Sequence, residues 1–223
     1  GTEYLPLATS QDHKTIGEGD VGLNTGGMGA YSPVPFVDQE LDERIKKEVI
    51  EPTVKGLSDD GISFRGFLYA GLMIDSSFNL KVLEYNCRFG DPETQPIMLR
   101  LKSDLIKMIH ACFSGSINDY QIEWNEKPAM GVVMSSLGYP ESYETGKEIS
   151  GLDAFSDKDN TKVFHSGTRL ENNDVFTNGG RVLCVTALGD DLKQSNRNAY
   201  SAVKEIGWDG KYYRKDIGFR VIK

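Results

Sequence analysis

Residues 82–93 read Val-Leu-Glu-Tyr-Asn-Cys-Arg-Phe-Gly-Asp-Pro-Glu, and this run constrains the fold more than any other in the chain. Its β-branched and aromatic start favours an extended strand. Gly90 and Pro92 then break the strand, so it has a fixed end point. Glu84 and Asn86 stand two residues apart and project from one face. Arg88, at i+4, shares that face if the extended conformation continues. A carboxylate beside an amide oxygen suits a hard divalent cation such as Mg²⁺, which takes oxygen ligands and tends to carry phosphates. A guanidinium two residues further on can clamp a phosphate or carboxylate through two parallel hydrogen bonds. The same spacing also describes a strand that ends in a salt bridge before a turn, and spacing alone leaves both readings open.

Charge and cysteine usage narrow the partners. The chain has 223 residues, a net charge of −8 and 39% hydrophobic residues, a balance that argues for a globular chain and against a nucleic-acid-binding surface. No apolar run approaches the roughly 18 residues of a membrane-spanning helix. Cys87, Cys112 and Cys184 are odd in number and widely spaced, so they form neither a zinc pattern nor a disulfide framework. Reduced thiols and a cytoplasmic setting are expected. The chain opens at Gly1 and enters a strand-like run at 5–10, and an upstream extension is expected.

Residues 11–35 are rich in glycine and lack periodicity, which predicts a long functional loop. Asp38 is a natural N-cap for a helix over 39–57, which Pro52 should kink or split. Strands over 66–74 and 80–85 flank the polar turn 75–79, as in a hairpin. One helix is expected over 94–113, with Gly115 as its stop. Periodicity fades at 116–127, the candidate junction between a domain at 1–124 and another at 125–223. Beyond it lie strand-like runs at 129–136, 162–166, 181–188 and 217–222 and a helix over 192–206, a small α+β domain.

A second segment carries chemistry: Gln11-Asp12-His13-Lys14, followed by Asn24-Thr25-Gly26-Gly27-Met28-Gly29-Ala30-Tyr31. Clustered glycines permit close backbone approach, and successive N–H groups can form a nest for an anion. Lys14 adds a positive charge, and Asp12 a carboxylate for an amine or a metal. An ordinary glycine connector is the alternative. The pattern is neither a Walker A loop nor a dinucleotide fingerprint. His13 reads as a loop hydrogen-bonder, His110 as structural within an apolar helix, and His165, at a strand end, as either.

Together these segments resemble phosphoribosylamine–glycine ligase, the glycinamide ribonucleotide synthetase family of ATP-grasp enzymes. The similarity continues through Gln95-Pro96-Ile97-Met98, Gly138-Tyr139-Pro140, Asn178-Gly179-Gly180-Arg181-Val182-Leu183 and Tyr213-Arg214-Lys215-Asp216-Ile217-Gly218, and so covers essentially the whole chain. It implies an α+β (mixed α/β) fold, the second half of an ATP-grasp domain at 1–124 followed by a small, β-rich C-terminal domain at 125–223. It also implies a reaction in which ATP, glycine and 5-phosphoribosylamine give glycinamide ribonucleotide, ADP and phosphate through a glycyl phosphate.

The resemblance assigns roles residue by residue. Glu84 and Asn86 would hold Mg²⁺ or Mn²⁺. Arg88 would bind the glycine carboxylate or the acyl phosphate, with Asp12 and Lys14 near the transferring phosphate or the amine. Asn24, Thr25, Gly26, Gly27 and Gly29 would close over the intermediate. Asp91 and Glu93 would orient Arg88 or the amine, while Asn178–Arg181, Lys215 and Asp216 would line the cleft or hold the two domains together, Lys215 and Asp216 being the ones expected at substrate or phosphate. Many ATP-grasp enzymes carry a second acidic metal ligand near the position of Leu72 or Met73, neither of which can ligate magnesium. The N-terminal domain and adenine pocket of the family are expected to lie outside this chain, leaving it inactive by itself. Another carboxylate–amine ligase, or a fragment without activity, are the rival readings.

Overall fold

The computed structural model describes residues 1–155 and 160–222. Short strands β1 (Gln11–Asp12), β2 (Thr15–Gly17), β3 (Val21–Asn24) and β4 (Gly29–Ser32) come first, followed by helices α1 (Gln39–Ile45) and α2 (Glu51–Asp59). Strands β5 (Tyr69–Ile74) and β6 (Leu80–Asn86) lead to helices α3 (Thr94–Arg100) and α4 (Leu105–Ser114). The rest comprises β7 (Ala129–Ser136), β8 (Thr161–His165), β9 (Thr168–Glu171), β10 (Asp174–Thr177), β11 (Arg181–Leu188), α5 (Leu192–Glu205) and β12 (Lys211–Tyr212). The mixed fold class is as expected from the sequence.

Packing gathers these elements into two units. The first comprises 1–7, 35–90 and 101–124; the second comprises 8–34, 91–100 and 125–223. This grouping shares the expected junction at 124/125 but brings 8–34 and 91–100 together with the C-terminal part.

In the first unit Asp38 caps α1 by accepting the Leu41 amide hydrogen at 2.9 Å. Pro52 does not break the helix. A π-helical turn over Lys46–Ile50 joins α1 to α2, and the Glu51 N–H reaches back five residues to the Lys46 carbonyl. Proline then falls in the first turn of α2, where its missing N–H costs little. β5 and β6 form the expected antiparallel hairpin, its turn tied by Asp75 Oδ1, which accepts from the Ser77 and Asn79 amides.

The second unit is built on a sheet of order β1-β4-β7-β11-β8, with β12 also beside β7. β7 and β11 are buried almost throughout, and Met130, Val132, Met134, Leu183 and Val185 form its core. The Asn196 amide of α5 reaches Met130 Sδ, while a Cβ at Gly131 would meet Pro96 of α3 at 3.5 Å. Adjacent strand residues face opposite ways, so α5 and α3 cover opposite faces of the sheet.

Several sequence expectations are corrected. Residues 5–10 form no strand, and 11–35 is not a loop but four short strands, with β4 wholly buried between β1 and β7. The helix expected over 94–113 is two: the chain breaks at 101–103, where Leu101 bridges Trp124, and Asp104 caps α4. Residues 217–222 form turns rather than a closing strand, because Gly218 takes φ +87° and its carbonyl accepts the Val221 and Ile222 amides. His110 is exposed on α4 rather than packed.

Candidate functional site

In the first unit β6 presents Glu84 and Asn86. Gly71 opposes Glu84 and Leu72 opposes Val82, so Leu83 is an extra, bulged residue; beyond it the alternation resumes and places Glu84 and Asn86 on one face. Gly71 makes room for this arrangement, since a Cβ there would stand 3.0 Å from Glu84 Cγ. The sequence reading did not find that role for Gly71. Glu84 is exposed, and among the described residues its carboxylate has no salt bridge or side-chain hydrogen bond. The strand ends at Asn86, and residues 87–88 bend. The shared face therefore does not extend to Arg88, whose Nη1 donates to the Phe89 carbonyl at 2.7 Å. A carboxylate with open lone pairs beside an amide fits a hard cation that fills its other positions with water and phosphate oxygens.

In the second unit residues 13–14 pair with the glycine loop at 25–28. Thr25 N–H donates to the Lys14 carbonyl at 2.7 Å, and Met28 N–H to the His13 carbonyl at 2.8 Å. Gly26 N–H donates to Tyr139 Oη at 2.9 Å, and Gly27 N–H to Thr25 Oγ1 at 2.9 Å. All four successive amides thus have protein acceptors, and of the two readings the sequence left open the anion nest of backbone N–H groups is not formed. The glycines serve close packing instead. A Cβ on Gly26 would meet the Arg181 guanidinium at 2.8 Å, and one on Gly27 would meet Pro92 Cδ at 2.3 Å. At Gly29, φ is +155°, and a Cβ would lie 2.7 Å from the Gly131 carbonyl oxygen.

Asp12 and Lys14 form an ion pair at 2.7 Å beside this loop, and Asn24 is exposed at its start. Asp91 Oδ2 takes Arg181 Nη2 at 3.1 Å, and its Oδ1 takes the Gln95 side-chain amide at 2.9 Å. Glu93 is buried just before α3.

The C-terminal segment braces the residues 15–20 that precede the loop. Arg214 is fully buried and forks onto Asp216, Nε to Oδ1 and Nη2 to Oδ2, both at 2.8 Å; its Nη1 reaches Asp20 and the Thr15 carbonyl. Asp216 also accepts the Gly19 amide at 2.7 Å. Burial works against the ionised Asp216 carboxylate, but the Arg214 fork and the Gly19 N–H outweigh it and hold its pKa below the usual carboxylate range. The Lys215 side chain is exposed, and its amide meets Glu18 Oε1 at 3.3 Å. His13 is fully buried, its Nε2 accepting the Gly218 amide at 3.1 Å. Burial, helped by Arg220 and Arg214, lowers its pKa to about 4, so it is a neutral acceptor at neutral pH. His165 Nδ1 lies 3.1 Å from Thr168 Oγ1 at the exposed end of β8.

Sequence reasoning placed Tyr139 and Arg181 only as parts of matched motifs. Neither their role at the loop nor the tie from Arg214 to Asp20 carries a local signal, because those partners are far apart in the chain.

Comparison with known proteins agrees with this picture. The model of the phosphoribosylglycinamide synthetase ATP-grasp (A) domain matches residues 1–94, and that of the phosphoribosylglycinamide synthetase C domain matches residues 129–220. Phosphoribosylamine–glycine ligase of Salmonella typhimurium is 54% identical over the whole chain, which covers 52% of that protein. The Vibrio cholerae protein of that name is 51% identical, with 52% covered. The chain thus spans about half the length of the curated relatives it matches. The crystal structure of phosphoribosylamine–glycine ligase from Thermotoga maritima matches 94% of the chain, and 51% of its own, with a TM-score of 0.81 at 33% identity. The biotin carboxylase domain of Hydrogenobacter thermophilus 2-oxoglutarate carboxylase matches 91% of the chain and 42% of its own with a TM-score of 0.64 at 12% identity, a likeness of fold alone. No helix among the described residues is long and apolar enough to cross a membrane. With both of its domain models matched in order along the sequence, the chain belongs to the phosphoribosylglycinamide synthetase family.

Proposed function

We propose that this chain carries the cation- and phosphate-handling part of a cytoplasmic ATP-dependent ligase that joins glycine to 5-phosphoribosylamine in purine biosynthesis. The observation that carries the reading is the pairing of two ordered family matches with a carboxylate, Glu84, that has no side-chain partner among the described residues and is held beside Asn86 on one strand face. Glu84 and Asn86 would hold Mg²⁺ or Mn²⁺, which when bound neutralises phosphate charge during phosphoryl transfer. Arg88, exposed beyond the strand end, offers its guanidinium fork to the glycine carboxylate or acyl phosphate.

In the second unit Lys14, held by Asp12, supplies a cation for the transferring phosphate or its developing charge. The loop 24–29 acts by shielding rather than by cradling, because its amides from Thr25 to Met28 are already spent; shielding excludes water from an acyl phosphate that would otherwise hydrolyse. Asp91 works through Arg181, and Asp216 through Arg214, as positioning groups. Glu93 and the exposed Lys215 are the remaining candidates for substrate contact. We divide the chain at 1–124 and 125–223, a reading that two successive family matches, over 1–94 and 129–220, support.

The test is phosphate release from ATP by the intact protein carrying this sequence, with glycine and phosphoribosylamine supplied separately and together. Release should need both substrates and a divalent cation, and Glu84→Ala should lower kcat by roughly 100-fold or more. Release driven better by another acid or amine would overturn the substrate assignment.

A further inference from the structure

We propose that Arg181 is a positioning residue that clamps the glycine loop to the Asp91–Pro92 segment, with Tyr139 holding the same loop through the Gly26 amide.

Arg181 opens β11, where Asn178-Gly179-Gly180 delivers it from a turn. Its Nη1 donates to three carbonyls, those of Gly26 at 2.9 Å, Gly27 at 3.3 Å and Asp91 at 2.7 Å, while Nη2 pairs with Asp91 Oδ2 at 3.1 Å. A single planar group thus ties two loops that are far apart in sequence. The rigid fork sets Nη1 on the carbonyls and Nη2 on the Asp91 carboxylate at the same time; lysine's ammonium, a single nitrogen, can neutralise Asp91 but cannot hold both sets from two fixed positions. The packing matches the bonding, since Gly26 leaves room for the guanidinium and Gly27 for the Pro92 ring.

Tyr139 completes the lock. Its Oη takes the Gly26 amide hydrogen, so both polar groups of Gly26 are held by side chains from the C-terminal part of the chain. Its ring lies under Gly180, where a Cβ would stand 2.2 Å from Tyr139 Cδ2, and Tyr143 packs against it edge-on with centroids 6.2 Å apart. Gly180 thus admits the ring whose hydroxyl caps the loop. The consequence is a loop fixed in one conformation before any substrate arrives, which lowers the ordering cost of covering a reactive intermediate. This consequence rests on the proposed ligase function; the clamp itself does not.

The test is residue-resolved amide hydrogen exchange by NMR on the chain and its variants. In Arg181→Met the Gly26 and Gly27 amides should exchange roughly tenfold faster or more, while the Val132 and Val185 amides in the core strands keep their rates. Arg181→Lys should restore part of the protection, and Tyr139→Phe should release Gly26 selectively. Unchanged Gly26 and Gly27 rates in Arg181→Met overturn the clamp; equal acceleration of the core amides overturns it in favour of a general role in stability. In the intact protein Arg181→Met should lower kcat with KM for ATP held. A wild-type protein without glycine–phosphoribosylamine ligation would overturn the ligase reading alone, because the amide pattern decides the clamp independently.

Discussion

The ring of Pro92 occupies the space that a side chain on Gly27 would need, with Cδ 2.3 Å from the position of a Cβ there. Gly27 also has φ +119°, a conformation that L side chains rarely adopt. Gly27→Ala should therefore combine backbone strain with overpacking and cost about 2–5 kcal/mol. Gly61→Ala has φ +74° but open space, and should cost only about 1–2 kcal/mol. Urea denaturation of both variants checks the contrast, and equal losses would contradict the packing role of Gly27.

His13 and the Gly218 amide give the fold a pH dependence. The folded-state pKa of His13 is about 4, below the ordinary value of 6.5, so between these values the unfolded chain binds more protons. Stability from this group is complete above about pH 6.5 and is lost as pH falls towards 4. Asp20 and Asp216 are held below the usual carboxylate range and lose their contribution in the same direction, at lower pH. The His13 share is on the order of 3 kcal/mol. His13→Gln, which can still accept a hydrogen bond, should flatten the change in unfolding midpoint between pH 7 and pH 5. An unchanged slope would rule out His13 as its source.

Arg214 neutralises Asp20 and Asp216 inside the second unit. Arg214→Met should cost about 3–5 kcal/mol, because two carboxylates lose their buried cation. Adding Asp20→Asn and Asp216→Asn to that variant should recover part of the loss. Thermal unfolding of the single and triple variants decides the point: if the triple is the less stable, charge is not the main term.

Helix α4 starts at a cap rather than continuing from α3. Asp104 Oδ1 accepts the Ile106 amide at 2.8 Å and the Lys107 amide at 3.2 Å. Asp104→Ala should lower stability by about 1 kcal/mol, and Asp104→Asn by less. A loss in Asp104→Asn equal to that in Asp104→Ala would show that the charge, not the cap geometry, matters.

Elements whose causes are local were legible in the sequence. The start of α1 follows from Asp38 and the apolar spacing behind it, the β5–β6 hairpin from its polar turn, and the end of α4 from Gly115 in the left-handed region. The strand expected over 217–222 failed because Ile217, Val221 and Ile222 look β-forming, yet their apolar side chains are taken up by the core from a turn. The segment 11–35 looked like a loop because its glycines hide short strands, of which β4 forms against β7, and that pairing depends on a partner about 100 residues away in the register of Gly29 with Val132.

Residue types at short spacing and motifs in order were enough to establish the family, the mixed fold class, the strand that carries Glu84 and Asn86, and the helix caps. What the glycine loop does emerged only from the packed chain. Its Gly26 amide is taken by Tyr139, 113 residues away, and its Gly26 carbonyl by Arg181, 155 residues away. Which side chains reach these backbone groups is settled by how distant segments pack rather than by neighbours in sequence.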